Sequence, residues 1–399
     1  MRVFVLGGDG FCGWPAALHL SNRGHEVLIV DDLSRRRIDD ELGSASLTPI
    51  RPIEERLAAW HELTGHRIGF ANVDLAADYG ALRDLMLAHK PGTIVHLAEQ
   101  RSVPYSMRSP AHRRYTVNNN VSATHNVLAA IVECALDTHL VHLGSVGVYG
   151  YETLGYRIPD GYLKVSLSEQ QAQRGSEILH PANPPSIYHM TKAQDQLLLA
   201  FYTKHDGVRA TDLLQGIVWG TQTTETACDE RLINRFDYDP VYGTVLNRFV
   251  LQAALGRPLS IYGSGRQTRG FIHIADAVRC IEIAVANPPA AGSRLRICNQ
   301  VAQSVRLIDL ARLIARLRPG TEVAHLDNPR QEPPDNEFDV ANDALVSMGF
   351  TPTKLTDDML VEMMELARRH ASRCDPARLL PRGAAVAPPA QASTTQAPA

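Results

Sequence analysis

The chain has no long apolar run, no paired-cysteine spacing and no large charge excess. Its 399 residues carry a formal net charge of -3, which gives no electrostatic footprint for nucleic acid or an acidic membrane surface. No apolar stretch approaches the roughly 18 residues of a membrane span. The first, Val3-Phe4-Val5-Leu6, ends at Gly7 after four residues, so no signal peptide is expected. Cys12, Cys134, Cys228, Cys280, Cys298 and Cys374 are scattered, with no C-x-x-C pair. A disulfide framework, a zinc site or any other metal centre is therefore not expected, and reduced thiols in the cytoplasm are. What remains is an ordinary globular composition, 44% hydrophobic and 21% charged, long enough for two domains or one large α/β unit with a second lobe.

The N-terminal run reads as a buried strand. It turns through Gly7-Gly8-Asp9-Gly10-Phe11-Cys12-Gly13 into an apolar-periodic helix over Pro15 to Arg23. Glycines between strand and helix allow a tight turn and let backbone N–H groups reach a pyrophosphate. A second strand, Val27 to Val30, ends in Asp31-Asp32. Acid at that tip binds an adenosine ribose diol and disfavours a 2′-phosphate, which points to NAD rather than NADP. Arg35, Arg36 and Arg37 argue the other way, but the acid occupies the strand tip and outweighs them. Arg36 to Arg67 is a long charged insertion, amphipathic over Ile53 to Leu63. Ile68 to Val73 leads to Asp74-Leu75, an adenine-edge position. Thr93 to Ala98, including Leu97 and Ala98, is a fourth strand whose tip, Glu99 to Ser102, faces the cofactor crevice. Val117 to Cys134 reads as a helix carrying Asn118, Asn119 and Asn120 towards the cofactor. His139 to Gly144 delivers Ser145, and after a loop from Tyr151 to Pro185 a helix runs from Tyr188 to about His205. This alternation predicts an α/β fold, a Rossmann-type doubly wound parallel sheet.

Tyr188 and Lys192 stand four apart on that last helix, one turn from each other on one face. The ammonium favours the phenolate, so the phenol is expected to act as a base below its ordinary value. Ser145 supplies a hydroxyl for a substrate oxygen, and Lys192 a donor for a ribose. In this order behind a glycine turn, the three residues predict a nicotinamide enzyme acting on an alcohol or ketone.

The glycine turn, Asp31, Tyr188 and Lys192 resemble the extended short-chain dehydrogenase/reductase family, the NAD-dependent epimerases and dehydratases of nucleotide sugars. Further stretches, Glu99-Gln100-Arg101-Ser102-Val103-Pro104-Tyr105-Ser106-Met107, Tyr188-His189-Met190-Thr191-Lys192, Gln215 to Gly220, Gly263 to Gly270 and Asn328-Pro329-Arg330, resemble its branch that adds sulfite to C6 of a nucleotide hexose. The resemblance runs from about residue 1 to 375. It implies NAD as cofactor, a UDP-hexose with sulfite as substrates, transient oxidation at C4, and a homodimer built on the Val117 and Tyr188 helices. It implies cofactor contacts from Gly7, Asp9, Gly10, Phe11, Cys12, Asp31, Asp32, Arg36, Asp74, Leu75, Leu97, Ala98, Asn119, Tyr188, Lys192 and Gln215. Substrate contacts fall to Arg101, Ser145, Tyr188, Thr244, Asn247, Gln267, Arg269 and Arg330, the last two arginines clamping a diphosphate. The implied organisation is an NAD-binding domain over 1–215, to which 271–300 returns, a nucleotide-sugar lobe over 216–270 and 301–375, and a disordered Ala/Pro-rich tail over 376–399.

The chain departs from the 4,6-dehydratases after Ser145. Those enzymes carry an Asp-Glu pair there, and this chain has Val146-Gly147. The stretch to Gly150 looks more like a 4-epimerase. His189 weighs the other way, as an imidazole placed to move the proton that elimination at C5 and C6 requires. A 4-epimerase or a dehydratase on an unusual nucleotide sugar is therefore the alternative, and a non-catalytic NAD(H)-sensing binder the remote one.

Overall fold

The computed structural model describes residues 1–166, 176–328, 333 and 335–379. Its strands in chain order are β1 (Arg2–Leu6), β2 (Glu26–Val30), β3 (Ile68–Ala71), β4 (Thr93–His96), β5 (His139–Ser145), β6 (Tyr162–Val165), β7 (Ser176–Leu179), β8 (Arg209–Gln215), β9 (Ile217–Trp219), β10 (Leu259–Tyr262), β11 (Thr268–His273), β12 (Arg296–Gln300), β13 (Gln303–Arg306) and β14 (Val323–Leu326). Seven of them form one sheet in the order β12-β8-β5-β4-β1-β2-β3, with every pairing parallel. The chain order reverses between β1 and β4, and the open crevice at such a switch point is where a ligand binds.

Apolar residues cover both faces, as a parallel sheet requires. Val5, Val95, Val141 and Leu213 face a core with Trp14, Ala277 and Ile281. Phe4, Ile94, Leu140 and Leu214 face another with Val127, Leu128 and Leu199, whose helices are Pro110–Glu133 and Ile187–His205. A third core gathers Trp219, Phe236, Phe249, Leu251, Leu310 and Leu360 around β9-β11-β13 and the parallel pair β10-β14.

Several expectations shift. The asparagine-bearing helix begins at Pro110, two turns before Val117, because Ser109 caps it by accepting from the His112 N–H and Pro110 suits the first helical position. Asn118 to Asn120 are thus interior to the helix. The expected loop after Tyr151 contains the antiparallel hairpin β6–β7. The long insertion folds into two helices, Ser34–Leu42 and Ile53–Thr64. At the end of the chain, Pro376–Leu379 is a short helix and Leu379 is buried in the third core; residues 380–399 lie outside those described. Among the described residues no helix is long and apolar enough to cross a membrane.

Candidate active site

The crevice is built first by the glycine turn. Gly7 has φ +81°, and a Cβ on it would lie 2.7 Å from the Ala98 nitrogen. A Cβ on Gly13 would lie 2.0 Å from the Gly7 carbonyl oxygen. The helix Gly13–Asn22 therefore starts against the sheet, with its N-terminus open to the crevice. That close approach of turn, sheet and helix, which a Cβ at either glycine would prevent, leaves a backbone cradle that fits a dinucleotide pyrophosphate.

Asp31 lies at the tip of β2, where its carboxylate accepts from the Asp9 N–H at 2.9 Å and the Leu33 N–H at 2.8 Å. Burial pushes its carboxyl up to about 6. The neighbouring arginines are all engaged by carboxylates. Arg35 pairs with Asp39 and Asp237, Arg36 with Asp9, and Arg37 with Asp32. Asp9 itself lies behind the turn, held by Arg36 at 2.6 Å and by the buried Arg56 at 2.8 Å. Asp9 and Arg36, expected as cofactor contacts, thus face each other and are outside the crevice lining.

The other expected cofactor residues do line it: Gly7, Gly10, Phe11, Cys12, Asp31, Asp32, Asp74, Leu75, Leu97, Ala98, Asn119, Tyr188, Lys192 and Gln215. The neighbour of Asn119, Asn120, expected from the sequence to point towards the cofactor with it, is buried and outside the crevice lining. Asn120 accepts from the Gln100 N–H at 2.9 Å and donates to the Gln100 carbonyl at 3.0 Å and to Thr191 Oγ1 at 3.1 Å. It ties the tip of β4 to the helix Ile187–His205.

That helix starts at Ser186, whose hydroxyl accepts from the His189 N–H. Tyr188 and Lys192 meet the crevice together with Glu99 and Arg101. The Lys192 ammonium donates to the Leu143 carbonyl at 2.5 Å and pairs with Glu99 at 2.7 Å. The sequence leads to a phenol below its ordinary value, and the structure corrects this. Burial raises it, Lys192 opposes that rise, and the Glu99 carboxylate works against Lys192.

His189 packs on the far side of Tyr188, with ring centroids 5.0 Å apart. Its Nδ1 lies 3.0 Å from Ser186 Oγ. A Cβ on Gly147 would lie 2.2 Å from the His189 ring, so Gly147 makes the space that this imidazole occupies. The Gly147 N–H donates to Ser145 Oγ at 3.2 Å. Ser145, Gly147, Tyr188 and His189 therefore form one packed group, although Ser145 and His189 sit just outside the crevice lining.

Arg101 reaches from the tip of β4 to Asp237 at 2.7 Å, and Arg35, Arg235 and Tyr242 share that wall. Arg235, Asp237 and Tyr242 carry no sequence signal, because the segment that holds them comes from far along the chain. Thr244, Asn247, Gln267 and Arg269 lie away from the crevice lining. Thr244 caps the helix Val245–Ala254 by accepting from the Asn247 N–H at 3.5 Å. Asn247 donates to the Asp237 carbonyl at 3.4 Å, and Gln267 to the Tyr262 carbonyl at 3.1 Å. Arg269 stacks on the Tyr151 ring at 4.1 Å, and that ring also meets His189 at 5.9 Å. Arg330 lies outside the described residues.

Glu99, His142 and Asp195 bring potential ligand atoms within 4.8 Å of one another. The partners they meet are Lys192 and Asp212.

Residues 3–298 match the NAD dependent epimerase/dehydratase family. The chain is 42% identical over 95% of its length to the chloroplastic UDP-sulfoquinovose synthase of Spinacia oleracea, covering 78% of that protein. It is 38% identical over 92% to the UDP-sulfoquinovose synthase of Sulfolobus acidocaldarius, covering 92%. In fold it is similar to the UDP-glucose 4-epimerase of Thermotoga maritima solved with UDP-glucose, at a TM-score of 0.69 and 19% identity, covering 93% of this chain and 100% of that one. With the glycine cradle, the Asp31 tip and the Tyr188–Lys192 pair on one crevice, the chain belongs to the NAD dependent epimerase/dehydratase family.

Proposed function

We propose that the protein makes UDP-sulfoquinovose from UDP-glucose and sulfite, by transient oxidation at C4 of the sugar. The observation that carries this reading beyond the family is the seat of His189. The imidazole is packed between Tyr188 and Gly147 at the site where the dehydratase carboxylates are missing, so a group able to move a proton lies beside the oxidising tyrosine. The two sulfoquinovose synthases named above support the same reading.

NAD, when bound, supplies the hydride acceptor and donor. The chain's own residues do the rest. Tyr188 takes the O4 proton, and Ser145 Oγ donates to the same oxygen. Lys192, fixed by Glu99 and the Leu143 carbonyl, favours the phenolate and holds a cofactor ribose. The C4 ketone acidifies the C5 proton. His189 takes that proton and returns it to the departing C6 oxygen, which leaves as water. Sulfite then adds through sulfur at C6 of the 4-keto-5,6-ene while C5 takes up a proton from solvent by way of His189, and return of hydride to C4 with the Tyr188 proton to O4 restores the alcohol. Arg269 and Arg330 hold the diphosphate, a role suited to planar guanidiniums, and Arg101 contacts the substrate. Thr244, Asn247 and Gln267 belong to the nucleotide side of the site.

The same proposal includes a homodimer, for which the helix Ile187–His205 offers Leu197 and Phe201, 60% and 54% exposed. It also includes a cytoplasmic setting for the activity.

Incubation with UDP-glucose in heavy water, with and without sulfite, tests the reaction by the masses of the products. Deuterium at C5 and a sulfonate at C6 are expected. A C4 epimer without solvent deuterium would instead make the enzyme a 4-epimerase and sink the sulfonation.

A further inference from the structure

A row of polar side chains crosses the middle of the central sheet. His96 on β4 is in register with His142 on β5, and His142 with Asp212 on β8. All three are fully buried, on the face that carries Ile94, Leu140 and Leu214 into the core. A parallel sheet covered on both sides calls for apolar residues at such positions, and a buried charge costs stability unless it is paired. The row is paired, and its pairing leads to Lys192. Asp212 meets His142 Nδ1 at 2.8 Å, His142 Nε2 meets Glu99 at 3.2 Å, and the same Glu99 oxygen meets Lys192 at 2.7 Å. Gln196, one turn on from Lys192, donates to the other oxygen of Asp212 at 3.0 Å. Gly144 keeps the row open, since a Cβ there would lie 2.5 Å from the Asp212 carboxylate.

We propose that Glu99, His142 and Asp212 are positioning residues, a buried chain that fixes the Lys192 ammonium and sets how much of its charge reaches the Tyr188 phenol. This rests on the reading of Tyr188 and Lys192 as the C4 redox pair. Such an enzyme must take a proton from O4 and later give it back. A phenol made strongly acidic by an unscreened ammonium would take the proton poorly, and one without an ammonium would release it poorly. Glu99 screens Lys192, and His142, held cationic by Asp212, limits that screening.

The charged and titratable groups around the pair can all be named. From β4 and its tip come His96, Glu99 and Arg101, and from β5 comes His142. Asp195 and His189 share the helix, Asp212 comes from β8, and Tyr151 stands against His189. Burial works to raise the Glu99 carboxyl, but Lys192 and His142 more than offset it and hold it well below the carboxylate range. Burial and Lys192 work to lower His142, and Asp212 and Asp195 overcome them.

The two ends of the chain carry opposite charge, so their removal moves the phenol in opposite directions. Glu99→Gln keeps an acceptor for Lys192 and deletes the negative charge, so Tyr188 titrates at lower pH. His142→Gln deletes the positive charge, so Tyr188 titrates at higher pH. Asp212→Asn weakens the hold on His142 and gives a smaller upward shift, and it stands in should His142→Gln fail to fold. The reading needs no turnover. The NAD-loaded protein is titrated by ultraviolet tyrosinate absorbance, and each curve is subtracted from that of the same protein carrying Tyr188→Phe. Opposed shifts are the expected result. Coincident curves, or shifts of one sign, overturn the chain while leaving the redox pair intact. If Tyr188→Phe alone still turns over UDP-glucose, it is the redox pair that falls.

Discussion

At the glycine turn, the Asp9 carboxylate is held by two guanidiniums, Arg36 at 2.6 Å and Arg56 at 2.8 Å. At the reaction end of the same crevice, the Glu99 carboxylate is held by an ammonium at 2.7 Å and an imidazole at 3.2 Å. The geometry is alike and the chemistry is different. A guanidinium stays charged throughout the working range; even Arg56, which burial pulls down to about 9, is cationic at neutral pH. Burial works to lower the Lys192 ammonium, but Glu99 overcomes it and keeps Lys192 cationic too; the imidazole is the group whose charge ordinarily changes in that range. The first cluster is a fixed brace under the cofactor cradle, and the second is an adjustable one under the chemistry. A residue belongs to the second kind when its neighbours can change charge with it.

The largest effect that separates the two ends is expected from Tyr188→Phe. The ring stays packed against His189 and only the hydroxyl is lost. Turnover of UDP-glucose should fall about a thousandfold, the middle of the range for a positioned acid-base group, while NAD is retained. Both are read on one preparation, by product assay and by cofactor content. Loss of NAD instead would place Tyr188 in the brace and erase the contrast.

Arg56→Met should break the other end. Arg56 is fully buried, stacks on Trp14 at 3.8 Å and reaches Asp9. Methionine keeps some of the packing and leaves a buried carboxylate with one partner fewer, a change that costs about 3–5 kcal/mol. Urea unfolding checks it. A variant as stable as the parent would show that Arg36 alone carries Asp9.

These two ends also differ in how far they could be read from sequence. The turn is local. Gly7 to Gly13 and Asp31 announce themselves by spacing, and Tyr188 and Lys192 by one helical turn, so the crevice and the pair proposed for its chemistry are legible. The partners behind them are not. His96, His142 and Asp212 become neighbours only through the register of β4, β5 and β8, and in sequence each looks like an isolated polar residue in a strand. The lowered value expected of the Tyr188 phenol fails because burial raises it and because Glu99, brought by another strand, works against the Lys192 that the sequence shows. That Arg36 and Arg56 close on Asp9 is not legible either, because the insertion that turns them there has no pattern that fixes its path. The nucleotide side of the site rested on resemblance throughout.

Gly147→Ala gives the smallest of these effects and the most selective one. Read as sequence, Val146-Gly147 is only the absence of an acid-base pair. In the structure, Gly147 is the gap into which the His189 ring fits, and a methyl there would lie 2.2 Å from it. The φ of Gly147 is not positive, so alanine strains no backbone and the collision falls on the imidazole. His189 is anchored at Nδ1 by Ser186 and must tilt or withdraw. A displacement of about 1 Å at a reacting group costs on the order of a hundredfold. Uptake of deuterium at C5 and sulfonation at C6 should fall by about that factor, while reduction of bound NAD by UDP-glucose, which needs Tyr188 and Lys192, stays near the parent rate. If both steps fall together, the imidazole is a packing element of the Tyr188 seat. If neither falls, the C5 proton is moved by a group other than His189.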